Sequence, residues 1–183
     1  MIVPMERKHA FQVGELHHRY IKSFLRDLGQ PMCTAFYENA LKSNMNFGFV
    51  YITDNRVFGF SFGTTDNSQI FNNWRIRLEI VFSLMKNPLL IRNLISHLKN
   101  IFPPSAERLY AAVDTSCRKK SIAIRLYATL TNGFRERGIR YFEDSVDADN
   151  ETSLKLQQLL GAKIKNEFTE YGILRYRLYT TIS

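Results

Sequence analysis

The stretch Ala111–Gly138, "AAVDTSCRKKSIAIRLYATLTNGFRERG", decides how this chain is read. It opens with a compact apolar run, passes three consecutive cations, Arg118, Lys119 and Lys120, and continues as a helical pattern that stops at Gly138. Ile122, Leu126, Leu130 and Phe134 recur at three- and four-residue spacing, which predicts a helix over Ser121–Arg137 with one apolar face. "ERLYAAVDT" just before it reads as a strand, and "IRYFEDSV" just after it as another. A strand–helix–strand crossover of this length predicts two parallel neighbours with the helix covering one face of the sheet.

The start of such a helix leaves its first N–H groups without intrahelical partners, and the helix dipole places partial positive charge there. A strand, a basic turn and a helix N-terminus together are suited to hold a diphosphate. A solvated basic turn is the competing reading of these cations taken alone. Neither the GxxxxGK[ST] nor the GxGxxG phosphate motif is present.

Working outward, a short strand is expected at the N-terminus, with Pro4 at a sheet edge. A helix is predicted over His9–Leu28, closed by Gly29, and a second helix with Pro31 in its first turn. "FGFVYITDNRVFGFSFGTTD", residues 47–66, reads as a β-hairpin turning at Asp54-Asn55. A helical block follows. One stripe is Trp74, Leu78, Val81, Phe82 and Met85. Asn87-Pro88 then starts a second stripe of Ile91, Leu94, Ile95, Leu98 and Phe102, ended by Pro103-Pro104, and both stripes are expected to pack in the core. At the C-terminal end a helix is predicted over Glu151–Leu160, begun by Asp149 or Asn150 and stopped by Gly161. Two strands around Tyr171-Gly172 complete the chain.

The 183 residues, 45% hydrophobic and 13% aromatic, suit one folded domain spanning 1–183. No apolar run approaches the roughly 20 residues a membrane span needs, and no secretory leader is evident. Cys33 and Cys117 are the only cysteines, so neither a disulfide framework nor a zinc-ligand spacing is present, and a cytoplasmic location is expected. The net charge of +8 favours an anionic partner, although it also serves solubility. Its distribution is uneven: Arg118–Arg140 carries a local net of +6, whereas Tyr141–Thr152 holds five acids and no base.

The order and spacing from Leu109 to Ala162 resemble the GNAT (GCN5-related N-acetyltransferase) family. That family has [QR]-x-x-G-x-[GA] at a strand-to-helix turn, here Arg118-Lys119-Lys120-Ser121-Ile122-Ala123. A strand, an Asn and a helix ending in a Leu-Gly-Phe-like triplet follow, here Ile139–Val146, Asn150 and Leu160-Gly161-Ala162. The resemblance implies an α/β fold with a mixed central sheet of the GNAT type. Extra helices would lie between the third and fourth strands, framing the acceptor pocket with the first two helices. It implies acetyl-CoA as acyl donor, with no metal. The backbone of Ala111, Ala112 and Val113 would pair with pantetheine, and residues from Arg118 through Ile124 would line the diphosphate loop. Asn150 would contact the pantetheine or sulfur side, unless it is simply a helix N-cap.

The sequence departs from the family pattern at three positions. Ser121 stands where glycine is usual. Gln157 stands where a Tyr often protonates the leaving thiolate, and Ser145 where enzymes acting on protein N-termini carry Glu. A thiol is acidic enough, with a pKa of ~8.5 against ~10.4 for an alkyl amine, to leave without a dedicated acid. Candidates for base or positioning are Asp114, Glu143, Asp144, Gln157, His17, His18 and Tyr51. The implied activity is transfer of an acetyl or short acyl group to an amine carried on a small molecule, an amino sugar or a peptide, with no membrane partner and a homodimer compatible with the reading. Two alternatives stand beside it. One is a non-catalytic acyl-CoA-binding module of the same fold. The other is a basic nucleic-acid binder, disfavoured because no aromatic residue is interleaved with the loop cations for stacking.

Overall fold

The computed structural model describes residues 1–70, 74–87, 90–99, 105–117 and 120–182. Its strands are β1 (Ile2–Pro4), β2 (Asn46–Thr53), β3 (Arg56–Thr64), β4 (Glu107–Val113), β5 (Tyr141–Asp147), β6 (Lys163–Glu170) and β7 (Ile173–Thr181). They form one mixed seven-stranded sheet in the order β1-β2-β3-β4-β5-β7-β6. Every neighbouring pair is antiparallel except β4–β5, the pair joined by the predicted crossover. The β2–β3 hairpin turns where expected, with Asp54 and Asn55 at φ 49° and 59°. Two successive left-handed residues match the right-handed twist of the strands, and Asp and Asn tolerate that conformation better than other side chains.

Helices cover both faces. On one face α1 (Ala10–Tyr20) and α3 (Gln30–Ala40) pack over Val50, Phe60 and Phe62. The two helices approach so closely at Gly14 that a Cβ there would sit 2.5 Å from Thr34 Oγ1. On the other face α6 (Lys120–Glu136) lays Tyr127, Leu130 and Phe134 against Phe47 and Phe142. A Cβ at Gly133 would come within 2.7 Å of the Phe47 ring, so the missing side chain sets how near α6 lies to the sheet. The α6 start, Lys120, is one residue earlier than the apolar spacing suggested. α7 (Glu151–Leu159) begins at the predicted Asn150 cap, whose Oδ1 accepts from Ser153 N at 3.2 Å.

Two expectations need correction. The single helix over His9–Leu28 is two: α1 ends at Tyr20, Ile21 is extended, and a short α2 (Phe24–Asp27) restarts after Ser23. The Ser23 hydroxyl accepts from Arg26 N at 3.2 Å and is hydrogen-bonded to His17 Nε2 at 2.7 Å. The serine therefore caps the new helix and fixes its angle to the old one. The helices between β3 and β4, α4 (Trp74–Lys86) and α5 (Leu90–Lys99), form as predicted, but the stripes assigned to the core are largely open. Leu78, Val81, Phe82 and Met85 are 45, 50, 56 and 73% exposed, and Ile91 and Ile95 are 46 and 48% exposed. Half-buried Ile80 on the opposite side of α4 makes the contact with the core instead. The Phe102 and Pro103-Pro104 expectations lie outside the described residues.

Candidate functional site

The parallel pair is where the sheet opens. Among the described residues β4 and β5 share one ladder pair, Glu107 opposite Glu143. Beyond it β4 stays with β3 through Val113, and β5 stays with β7 through Asp147. The cause lies at Leu109, where the register with β3 slips by one residue between Phe62 and Gly63. Such a bulge bends and twists the strand that carries it. A wedge results, with the end of β4 along one side and β5 departing on the other. Ala111, Ala112 and Val113 lie along it, with backbone edges towards β5 that are not used in a ladder.

Charged side chains close the narrow end of the wedge. Arg177 on β7, 2% exposed, donates from Nε to Glu143 Oε2 and from Nη1 to Glu107 Oε1, each at 2.7 Å. Glu143 also accepts from Tyr141 and from Lys165, and Glu107 accepts from Asn67 Nδ2 at 2.9 Å. Burial raises the Glu143 carboxyl, but the hydrogen bonds from Lys165, Tyr141 and Arg177 outweigh it and hold the group down at about 2. On the α6 face, Asp144, 1% exposed, forms an ion pair with Arg108 Nη2 at 3.1 Å, and that guanidinium lies over the Tyr127 ring. Burial pushes the Asp144 carboxyl up, while Arg108 and Arg177 oppose the shift.

At the wide end, β4 runs into Asp114 and a short 3₁₀ turn, Thr115–Cys117, before α6. Asp114 Oδ1 accepts from Ser116 N and Ser116 Oγ, at 2.8 and 2.7 Å, which shapes the approach to the helix and holds the carboxyl low. Arg118 and Lys119 lie outside the described residues. Ser121 and Ile124 are exposed, Ala123 is half-buried, and Ile122 points into the core. The 17-residue helix α6 starts at the open end of the wedge.

Gln157 is 3% exposed on α7. Its Nε2 donates to Ser153 Oγ at 3.1 Å, while Oε1 is buried without a hydrogen-bond partner among the described residues. An orphaned buried acceptor costs about 1–3 kcal/mol, which a ligand N–H would recover. The residue that stands in place of the usual Tyr acid therefore presents an unused acceptor.

The histidines separate. His17 is fully buried, with Nδ1 hydrogen-bonded to the Tyr37 hydroxyl at 2.7 Å and Nε2 to Ser23. Burial holds its ring near a pKa of about 3, so it is neutral and serves the α1–α2 junction. His18 is exposed, and Tyr51 is half-buried on β2, away from the wedge.

A second set of residues on the α1–α2 side was not foreseen. Tyr110 packs its ring 4.4 Å from that of His17. Arg175 bonds Glu170, pairs with Asp147 at 2.9 Å and donates to Lys22 O at 2.8 Å. Lys22 Nζ lies 3.7 Å from Asp147 and 3.8 Å from Asp149. These contacts tie the α1–α2 link across to β5 and β7. The β6–β7 turn joins the same region, because Tyr171 N donates to Ser96 Oγ on α5 at 2.9 Å. The available signal was the alternation in "LRYRLY", residues 174–179, which puts Arg175 and Arg177 on one face, opposite the acids of β5.

No protein-family model matches the sequence, and no curated protein sequence does either. Solved structures do match over the whole chain. The acetyltransferase of the GNAT family from Streptococcus pneumoniae has a TM-score of 0.64 at 13% identity, with 100% of this chain and 99% of that one covered. An N-acetyltransferase from Staphylococcus aureus has a TM-score of 0.66 at 18% identity, covering 100% and 98%. YncA, a putative acetyltransferase from Salmonella typhimurium solved with its cofactor acetyl-CoA, has a TM-score of 0.69 at 12% identity, covering 100% and 94%. The chain carries the GNAT fold, including the expected helices between its third and fourth strands.

Proposed function

We propose that the chain, acting as one domain over residues 1–183, transfers an acetyl or other short acyl group from CoA to an amine. The observation that carries this reading is the wedge: a parallel pair that parts after one ladder position, with a helix N-terminus at its open end. The likeness to acetyltransferases of the same fold supports it, and YncA was solved with acetyl-CoA.

The residues present fit the donor. The unladdered edge of Ala111, Ala112 and Val113 would hydrogen-bond the amides of pantetheine. The first N–H groups of α6 and the side chains of Arg118, Lys119 and Lys120 would hold the diphosphate, together with the backbone of Ser121, Ile122, Ala123 and Ile124. Gln157 Oε1 would accept from a donor N–H, and Asn150 would lie beside it at the start of α7. Bound acetyl-CoA would supply the acyl group as a thioester.

The protein's own contribution is then positioning and backbone polarisation. Holding amine and thioester together removes much of the entropic barrier, and a strand N–H at the carbonyl oxygen stabilises developing negative charge. The acceptor would enter from the side of α1, α2 and the β6–β7 turn, where Tyr110, Glu170 and Arg175 gather. Small amines, amino sugars and peptides all match an approach framed by α5. With Glu143 held at about 2 and His17 at about 3, neither suits a base acting near neutrality, so the amine would attack in its neutral form.

The test is a thermal-shift and thiol-release screen with acetyl-CoA against a panel of amines. Acetyl-CoA is expected to raise the melting temperature, and at least one amine to release CoA. Stabilisation with no thiol release from any amine would favour the acyl-CoA-binding module instead. Stabilisation by random DNA but not by acetyl-CoA would favour the nucleic-acid reading.

A further inference from the structure

The outer side of α4 is at odds with the rest of the molecule. Leu78, Val81, Phe82 and Met85 fall at three- and four-residue spacing, so they share one helix face, and each is between 45 and 73% exposed. Ile91 and Ile95, one turn apart, add an exposed pair on α5. Single exposed apolar side chains are ordinary, but a contiguous stripe over two helical turns marks a contact surface. α4 already meets the core through Ile80, so the stripe is not needed to hold the helix down.

The charge around the stripe says what it meets. Residues 74–99 hold Arg75, Arg77, Lys86, Arg92 and Lys99 against the single acid Glu79. A second copy of the chain would bring two such basic segments, on two molecules of net charge +8, face to face. An anionic surface meets both the apolar stripe and the cations. Among the described residues no helix is long and apolar enough to cross a membrane, so the geometry is that of helices lying on a bilayer.

We propose that α4 and α5 dock the protein on the surface of an anionic phospholipid bilayer. The apolar stripe enters the headgroup–acyl boundary and the flanking cations meet lipid phosphates. This departs from the sequence-based expectation of no membrane partner, which rested on the absence of a span. It does not depend on the chain being an acetyltransferase.

The test is sedimentation of the full chain with vesicles of neutral phosphatidylcholine, and of phosphatidylcholine with phosphatidylglycerol at 7:3. The protein's one tryptophan, Trp74 at the start of α4, supplies a second readout through its emission maximum. Binding to the anionic vesicles alone is expected, weakening with salt, with a blue shift of Trp74. The double variant Phe82→Ser/Met85→Ser should lower partitioning about tenfold or more. Its melting temperature should stay near that of the wild type, because both side chains are already more than half exposed. Ile91→Ser/Ile95→Ser on α5 provides the same test should the first variant fold poorly. Arg92→Glu should weaken binding more than Lys163→Glu, an identical charge change on β6. Three results would overturn the proposal. One is absence of binding to the anionic vesicles, and another is binding unchanged by both serine pairs, which would reflect net charge alone. The third is a wild-type dimer in solution that Phe82→Ser/Met85→Ser converts to monomer, which would assign the stripe to a second copy.

Discussion

Arg177→Met tests the narrow end of the wedge. The wild-type guanidinium bridges two carboxylates that the parallel ladder sets directly opposite each other, Glu107 and Glu143. Methionine keeps an apolar stem of similar length and removes the charge. Deleting one partner of a buried ion pair costs about 3–5 kcal/mol, because a charge is left buried without compensation. Here Glu143 would keep Lys165 and Tyr141, and Glu107 would keep Asn67, which places the expected loss near the lower end, about 3 kcal/mol. For a domain of this size that corresponds to a fall in melting temperature of roughly 6–12 °C. Urea denaturation should show a lower midpoint with an unchanged slope. The triple variant Arg177→Met/Glu107→Gln/Glu143→Gln should recover most of the loss, since it removes the facing like charges as well. A pH series gives an independent check. Glu143 is depressed from about 4.5 to about 2 in the folded protein. Its contribution is therefore complete above pH 4.5 and is lost as pH falls through 2. Without the Arg177 hydrogen bonds that window should narrow from its low-pH end: the loss should still begin near pH 4.5 but be smaller and complete at a higher pH than in the wild type. A loss below about 1 kcal/mol, or a triple variant no more stable than Arg177→Met, would refute the account of the wedge as a charge-bridged junction.

Three further outcomes follow from the site. Gln157→Ala should lower kcat for the best amine by about tenfold, near 1.4 kcal/mol, and weaken acetyl-CoA binding in titration calorimetry by removing the buried acceptor; no change in either would separate Gln157 from the site. Ser121→Pro deletes one of the N–H groups at the start of α6, so acetyl-CoA should bind more weakly while pantetheine lacking the diphosphate is unaffected, and Ser121→Gly should be tolerated. A profile of kcat/KM against pH should rise with the deprotonation of the amine itself, shifting when amines of different pKa are compared; a midpoint fixed near neutrality for every amine would reveal an enzyme base.

The strand–turn–helix–strand run was legible because its signals are local. Ile122, Leu126, Leu130 and Phe134 mark a helix by spacing alone, and Asn150 and Gly161 mark the ends of another. Asp54-Asn55 and Gly172 locate the hairpins through turn residues that accept positive φ. The junction of α1 and α2 was not legible, because the apolar spacing from Val13 to Leu28 continues through the break. The break is made by Ser23 reaching both Arg26 and His17, a contact that exists only once the chain has folded. The charge bridges failed to show for the same reason. Arg177 and Glu107 lie 70 residues apart in sequence, and only the order β4-β5-β7 brings them together. The inward alternation of Arg175 and Arg177 was visible in the sequence, but it has no meaning until the acids of β5 are known to lie opposite.

The α4 stripe shows a different kind of limit. Spacing reports that apolar side chains share a face; it does not report what that face meets. A helix packed into a core, one pressed against another protein and one lying on a bilayer all require the same three- and four-residue repeat. The distinguishing information is whether the remaining faces can satisfy the contact with the domain. For α6 they cannot: Leu126, Leu130 and Phe134 are buried, and the alternative face carries Arg125 and Arg135. For α4 they can, since Ile80 supplies a second apolar edge that reaches the core and leaves the stripe outside. A helix with two apolar edges and basic residues between them gives a sequence reader no means of choosing which edge is turned inward. The structure makes that choice, and it leaves an uncovered edge in a basic segment whose other end, at Ser96, touches the turn that flanks the proposed acceptor entrance. Docking through that edge would therefore bring the acceptor side close to the bilayer surface, which makes amines carried on membrane components a reasonable addition to the acceptor panel.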